Sequence, residues 1–180
     1  MTALPMKRHA MFTLSRLSSP LADLLAITAA DGTLHALDFA DYAERLHRLF
    51  VRHHRGATLT EGPAPAALSA AVTAYFAGDM AALDAVPVAG IGSTFQRRVW
   101  AALRQIPAGE TRSYGQLAAA IGQPSASRAV GLANGANPIG IVVPCHRVIG
   151  TSGALTGYAG GVERKAWLLR HEGALAPLLA

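Results

Sequence analysis

One cysteine, Cys145, is all that this 180-residue sequence holds. An internal disulfide is therefore excluded, and no Cys/His set stands at zinc-site spacing. A reducing cytoplasm fits that usage best. Uncharged apolar runs of about 18 residues are missing too, so no membrane span is expected. No apolar signal core follows Lys7, Arg8 and His9, so secretion is not expected either. Acidic residues are fewer than basic ones. Asp and Glu number 11 against 16 Lys and Arg, the net charge is +5, and the pI is about 10.0. Nearly all of these cations are arginine. A polyanionic partner and a merely basic surface both fit that charge.

What is present is a core: 51% of the residues are hydrophobic, enough for one or two small domains. Residues 1–10 read as a loose lead. Phe12–Leu17, Asp23–Thr28 and Thr33–Phe39 read as strands. Asp31-Gly32 gives the last two a hairpin turn, because both residues tolerate positive φ. Asp41 is placed to cap a helix running to about Arg52, with Leu46, Leu49 and Phe50 on one face. His53-His54-Arg55-Gly56 ends it. That histidine pair reads as a solvated helix end, since no third metal ligand lies nearby. Residues 61–65 form a loop, a second helix covers about Ala66–Phe76, and Ala85–Val88 suits a short edge strand. This unit, residues 1–88, carries no catalytic constellation of its own and is read as structural. Residues 89–92 form a linker, and 93–180 a second unit.

The second unit opens with Ser93 and Gln96 at capping-box spacing. Phe95, Val99, Ala102, Leu103 and Ile106 make the core stripe of the helix that follows, with Arg97, Arg98 and Arg104 on its wet face. Ser113 and Gln116 repeat the capping box, which puts Tyr114 in the first turn of a helix ending near Ile121. Ser125 or Ser127 then opens another, over about Ala126–Asn134. Two short helices joined by a tight turn fit a helix-turn-helix, or an ordinary hairpin with Ala and Gly packed inward. Small side chains on the second would let its backbone approach a partner closely. Arg128 is its one long basic probe.

Residues 137–150 hold the chemistry. Ile141-Val142-Val143 reads as an apolar strand that breaks at Pro144, just before Cys145, His146 and Arg147. A lone cysteine is often a small buried hydrophobe. One at a strand break beside a base is a candidate nucleophile. Its thiol, with a pKa of about 8.5, must lose its proton to attack. On an extended segment His146 would point away from Cys145, so a bridging water or a local turn is needed. Residues 151–161 form a Gly-rich loop without the lysine of a phosphate-binding loop. A last helix runs from Val162 to Glu172 and stops at Gly173. Glu172 opposes the helix dipole there. It reads either as a surface glutamate or as the carboxylate that orients His146. The phenol of Tyr114 is a candidate proton donor.

Pro144-Cys-His-Arg-Val148 resembles the active-site signature of the O6-alkylguanine-DNA alkyltransferases, also called methylated-DNA–protein-cysteine methyltransferases. So do Phe95-Gln-Arg-Arg-Val-Trp100, Ile106-Pro107, Gly109-Glu-Thr-Arg-Ser-Tyr-Gly115, Arg128-Ala-Val-Gly131, Asn137-Pro138, Gly157-Tyr-Ala-Gly-Gly161 and Trp167-Leu-Leu-Arg-His-Glu172. The resemblance is dense over residues 91–173. It implies an α+β fold: a small N-terminal antiparallel sheet with helices, ribonuclease H-like, and a mainly helical C-terminal domain with a helix-turn-helix. It implies a monomer that binds duplex DNA carrying O6-alkylguanine through the minor groove. The nucleotide is flipped out, and its alkyl group moves irreversibly to Cys145, once per molecule, without metal or cofactor. O4-alkylthymine is an expected second substrate.

By the same resemblance His146, acting through water, and Glu172 activate the thiol, and Tyr114 protonates the departing guanine. Arg128 fills the space left by the flipped nucleotide. Ser113, Ala129 and Gly131 belong to the DNA-contacting surface. Asn137 is the hinge between the DNA-binding helix and the active-site segment. The carbonyls of Cys145 and Val148 accept from the guanine amine. Tyr158 and the Ala159 N–H wall the lesion pocket. Many relatives have Pro at Thr94 and some have Ser at Ala159, and neither change should touch the chemistry. The expected location is the cytoplasm, at the nucleoid when DNA is bound. Three competing readings remain at this level: a lesion binder without transfer, a sequence-specific regulator, and a Cys-His-Glu thiol hydrolase.

Overall fold

A computed structural model describes residues 10–176. The expected N-terminal lead lies, apart from Ala10, outside the described residues. The sheet grows from the Asp31-Gly32 turn, where Gly32 takes φ 84° and the Asp31 carboxylate accepts the Thr33 N–H at 2.9 Å. Strands β2 (Leu24–Ala29) and β3 (Leu34–Phe39) pair antiparallel around it, and β1 (Met11–Leu17) pairs antiparallel with β2. A further strand, β4 (Thr58–Glu61), lies parallel to β1, giving the order β3-β2-β1-β4. The sheet is thus antiparallel over three strands and mixed at its β4 edge. Four residues with only Leu59 and its neighbours to pack leave no alternating pattern from which β4 could be read.

Helix α1 (Ala43–His53) covers one face of the sheet. Leu46 and Phe50 pack there on Phe12, Leu25, Ile27 and Ala36. Asp41 does not cap α1. It sits in a 3-10 turn, Ala40–Tyr42, and no side-chain cap precedes the helix. Its carboxylate instead takes both terminal nitrogens of Arg164, at 2.8 and 3.0 Å. The Arg164 guanidinium also lies 4.3 Å from the Phe39 ring centroid. A two-point ion pair with an aromatic platform outweighs a single exposed capping bond.

The other face carries α2 (Ala66–Phe76) and the second half of the chain. Leu24, Ala26, Leu37 and Tyr75 share one hydrophobic cluster with Val99, Leu103, Leu117 and Leu168, so packing is continuous across residues 89–92. The expected strand over Ala85–Val88 reduces to a single parallel bridge between Val88 and Leu34. Further along the same edge Ile139 bridges Leu37.

Beyond the linker come α3 (Thr94–Leu103), α4 (Tyr114–Ala120), α5 (Ser127–Gly135) and α6 (Val162–His171). Both capping boxes, Ser93–Gln96 and Ser113–Gln116, form with all their bonds. Neither Ser125 nor Ser127 caps α5: Ala126 holds the N-cap position and contributes no side-chain bond. Trp100 ties α3 to α5 through Nε1 and the Ala133 carbonyl, at 2.9 Å. Two-residue strands β5 (Arg112–Ser113) and β6 (Val148–Ile149) pair in parallel, which sets the start of α4 beside the segment that follows Cys145. Among the described residues no helix is long and apolar enough to cross a membrane.

Candidate active site

The segment before Cys145 is a compact turn, not the expected strand. Asn137 organises it. Its carboxamide accepts the Ile139 N–H at 3.0 Å and donates to the Val143 carbonyl at 2.8 Å and the Ile139 carbonyl at 3.3 Å. With the backbone held this way Ile141 adopts φ 66°. A β-branched side chain is costly there, on the order of 1–3 kcal/mol, and such strain gathers at functional sites. Strand propensity in Ile-Val-Val is overridden because its backbone is bonded locally: the Val142 and Val143 N–H groups donate to the Gly140 and Ile139 carbonyls, and the Val143 carbonyl accepts Asn137 and the Cys145 N–H.

Cys145, His146 and Arg147 form one 3-10 turn, so the chain is not extended here either. Cys145 is only 6% exposed. Burial pushes its thiol pKa up, and the nearby Asn137 side chain opposes that. No hydrogen bond joins its Sγ to His146. The imidazole, fully buried, pairs through Nε2 with Glu172 Oε1 at 2.9 Å. Its Nδ1 has no protein partner among the described residues. Burial favours neutral His146, against the pull of Glu172.

Glu172 is a buried carboxylate, not a surface one. Burial works against its charge, but His146, Arg147 and their hydrogen bonds hold its pKa far below the ordinary carboxylate range. Arg147 donates from Nε to Oε2 and from Nη2 to Oε1, both at 2.8 Å, and from Nη1 to the Ile106 carbonyl at 2.6 Å. The unfavourable place at the end of α6 is thus offset by buried, charge-assisted bonds.

Around this centre the remaining residues fall into two groups. Tyr114 is half-buried, its hydroxyl 3.4 Å from the Thr156 carbonyl, and burial raises its pKa. Gly131 faces its ring: a Cβ added there would sit 3.8 Å from it. Ser113 is spent on capping α4. Val148 is buried, and its carbonyl already accepts Lys165 Nζ at 2.5 Å, while the Cys145 carbonyl accepts Asn134 Nδ2 at 3.3 Å. The Cys145 carbonyl also takes the Val148 N–H that closes the 3-10 turn, so a further donor there must displace the long Asn134 bond, whereas the Val148 carbonyl can still receive a second donor. The Tyr158 ring lies edge-on to His146, 6.4 Å between centroids. Ala159 follows it in a partly exposed loop. Arg128 and Ala129 stand apart, exposed on the outer face of α5 with Leu132, which is 78% exposed.

Four contributors were missed. Arg147 stands inside the signature stretch, which was a usable signal. Lys165 shares a face with Leu168 and Leu169, a cation at a buried position. Burial lowers its pKa to about 8, and its Nζ also reaches the Thr156 carbonyl. Asn134 sits on the inner face of α5 with Val130. Tyr75, in the unit read as structural, donates its hydroxyl to Glu172 Oε1 at 2.7 Å; nothing local marked it. Among the described residues no group of three or more His, Cys, Asp or Glu is placed to hold a metal ion.

Residues 94–174 match the family model of the 6-O-methylguanine DNA methyltransferase DNA-binding domain. The methylated-DNA–protein-cysteine methyltransferase of Salmonella typhimurium is 51% identical over 162 residues, which is 89% of this chain and 95% of that protein. The chain belongs to the methylated-DNA–protein-cysteine methyltransferase family. DNA repair by alkyl transfer to a protein cysteine is this family's work, and the chain is an enzyme of that class. The same-named protein of Mycobacterium bovis is 59% identical over 118 residues, 64% of this chain and 71% of that one. Among solved structures, Mycobacterium tuberculosis OGT in complex with DNA superposes with a TM-score of 0.75 at 42% identity, covering 92% of this chain and 96% of that one. The O6-methylguanine-DNA methyltransferase of Pyrococcus kodakaraensis gives 0.62 at 25% identity, covering 91% and 99%. These matches agree with the α+β fold of a methyltransferase of this family.

Proposed function

We propose that this methyltransferase repairs O6-alkylguanine in duplex DNA by one irreversible transfer to Cys145, after the damaged nucleotide has been flipped out. Flipping follows from burial: a thiol only 6% exposed in a protein pocket does not reach a group inside a stacked duplex. The outer face of α5, with Arg128, Ala129 and Leu132, enters the minor groove, and Arg128 takes the place of the extruded nucleotide. Asn137 carries the motion to the Cys145 segment.

In the transfer, His146 Nδ1 receives the thiol proton through a water while Glu172 holds Nε2. The sulfur then displaces the guanine oxygen from the alkyl carbon. One S–C bond forms, one C–O bond breaks, and the electron pair leaves with the guanine, which Tyr114 protonates. Cys145 and Val148 carbonyls accept from the guanine amine, with Tyr158 and Ala159 walling the pocket. The product thioether is stable and no second thiol exists to release it, so each molecule acts once. The same pocket takes O4-alkylthymine. The protein works as a monomer, in the cytoplasm, and needs no cofactor.

What carries this reading is the arrangement at His146: one nitrogen held by an ionised Glu172, the other unpartnered, one residue from the sole cysteine. Incubation with a duplex containing O6-methylguanine should add one methyl to the intact protein mass, and Cys145→Ala should abolish the gain. An unchanged wild-type mass would refute transfer and leave lesion binding alone.

A further inference from the structure

Glu172 receives four hydrogen bonds, and one of them comes from the half of the chain read as structural. Among the described residues Oε2 accepts only Arg147 Nε, whereas Oε1 accepts His146 Nε2, Arg147 Nη2 and the Tyr75 hydroxyl. Tyr75 is 0% exposed. Its ring packs edge-on against Phe76 and His171, at 5.1 and 5.2 Å, and phenylalanine would fill that space equally well. Its hydroxyl makes no other hydrogen bond among the described residues. A buried hydroxyl with one partner is there at a desolvation cost that only that partner offsets.

We propose that Tyr75 is a positioning residue of the transfer reaction, setting how much of the Glu172 charge reaches His146. This rests on the relay reading of His146 and Glu172 given above. A carboxylate oxygen offers about two lone-pair directions. Three donors on Oε1 therefore share it, and each weakens the hold of the others. His146 is faced by Glu172, Arg147, Lys165 and the Tyr158 ring, with Cys145 its chain neighbour; Glu172 by Tyr75, His146 and Arg147; Tyr75 also by His171. Of these, only Tyr75 and Arg147 compete with His146 for Oε1. Removing the phenol hydroxyl leaves more of the carboxylate's charge for the imidazole. The imidazolium is then better stabilised, His146 holds a proton to higher pH, and less of it is free to accept the thiol proton in mildly acidic solution.

The test is the rate of methyl transfer from an O6-methylguanine duplex between about pH 5 and pH 9, for wild type, Tyr75→Phe, Phe76→Leu and Glu172→Gln. Tyr75→Phe should move the acid limb up by about half a pH unit or more, with little change on the plateau. Phe76→Leu, a packing change one residue away, should leave the limb in place. A fluorinated tyrosine placed at position 75 donates more strongly and should move it down. Superimposable limbs for wild type, Tyr75→Phe and the fluorinated protein would overturn the role of Tyr75. If Glu172→Gln also left the profile unchanged, the relay itself would fall. A shift in Glu172→Gln alone removes only Tyr75.

Discussion

Arg45, on α1, donates from Nη2 to the Asn137 carbonyl at 3.0 Å and to the Gly135 carbonyl at 2.9 Å, while its Nη1 pairs with Asp38 at 2.5 Å. The first helix of the chain thus holds the start of the Cys145 turn from behind. Arg45→Met should leave Asp38 buried without its cation and cost about 3 kcal/mol. The double variant with Asp38→Asn should recover most of that. Urea midpoints of the three proteins check the prediction, and an additive double variant would contradict it.

Arg128 has no ion-pair partner among the described residues and stands free on α5. Arg128→Ala should therefore leave stability nearly unchanged. Repair of duplex substrate should fall about tenfold or more, while reaction with free O6-benzylguanine stays close to wild type. Equal losses on both substrates would contradict the proposed insertion of this arginine into the DNA stack.

Tyr114→Phe tests proton donation. The bond to Thr156 is long, 3.4 Å, so the fold should lose less than about 1 kcal/mol. Transfer should slow by about 10²-fold. Single-turnover rates set beside thermal melts separate the two effects; an unaltered rate would rule out the phenol as donor.

His35 Nδ1 and His54 Nε2 lie 3.1 Å apart under Phe12 and Phe50. Burial, then His35 and His53, lower the His54 pKa from 6.5 to about 4. The unfolded chain therefore takes up the proton first. Stability from this group is complete above pH 6.5 and is lost as pH falls from there towards 4. His54→Gln should flatten part of that slope in urea titrations between about pH 7 and pH 4.5. His35, His53 and His146, shifted in the same direction, keep the remainder.

Short-range chemistry was readable and long-range chemistry was not. The two Ser–Gln capping boxes depend on four consecutive residues, and both formed. Cys145, His146, Glu172 and Tyr114 were singled out because their motifs resemble a known family, and the structure joins His146 to Glu172 beside Cys145. Tyr75 and Arg45 gave no sign, since their partners are 97 and 92 positions away. The turn at Ile141 was hidden for a different reason. Ile-Val-Val has strand propensity, and only the Asn137 carboxamide, folded against it, decides otherwise. Asp41 likewise suited a cap until Arg164 came within reach across the fold.

The outer edge of β3 has one more consequence. Leu34 and Leu37 each exchange two backbone hydrogen bonds with chain from beyond the sheet: Pro87 and Ala89 at one, Pro138 and Gly140 at the other. Strand edges left bare are templates for pairing with other molecules. Here residues 87–89 and 138–140 together seal one. Cutting the protein between residues 89 and 93 and keeping the first part would strip the Pro138–Gly140 half of that seal, and the bared edge would be prone to self-association. The length of chain that leads into the Cys145 turn is therefore also what covers the open edge of the first half's sheet.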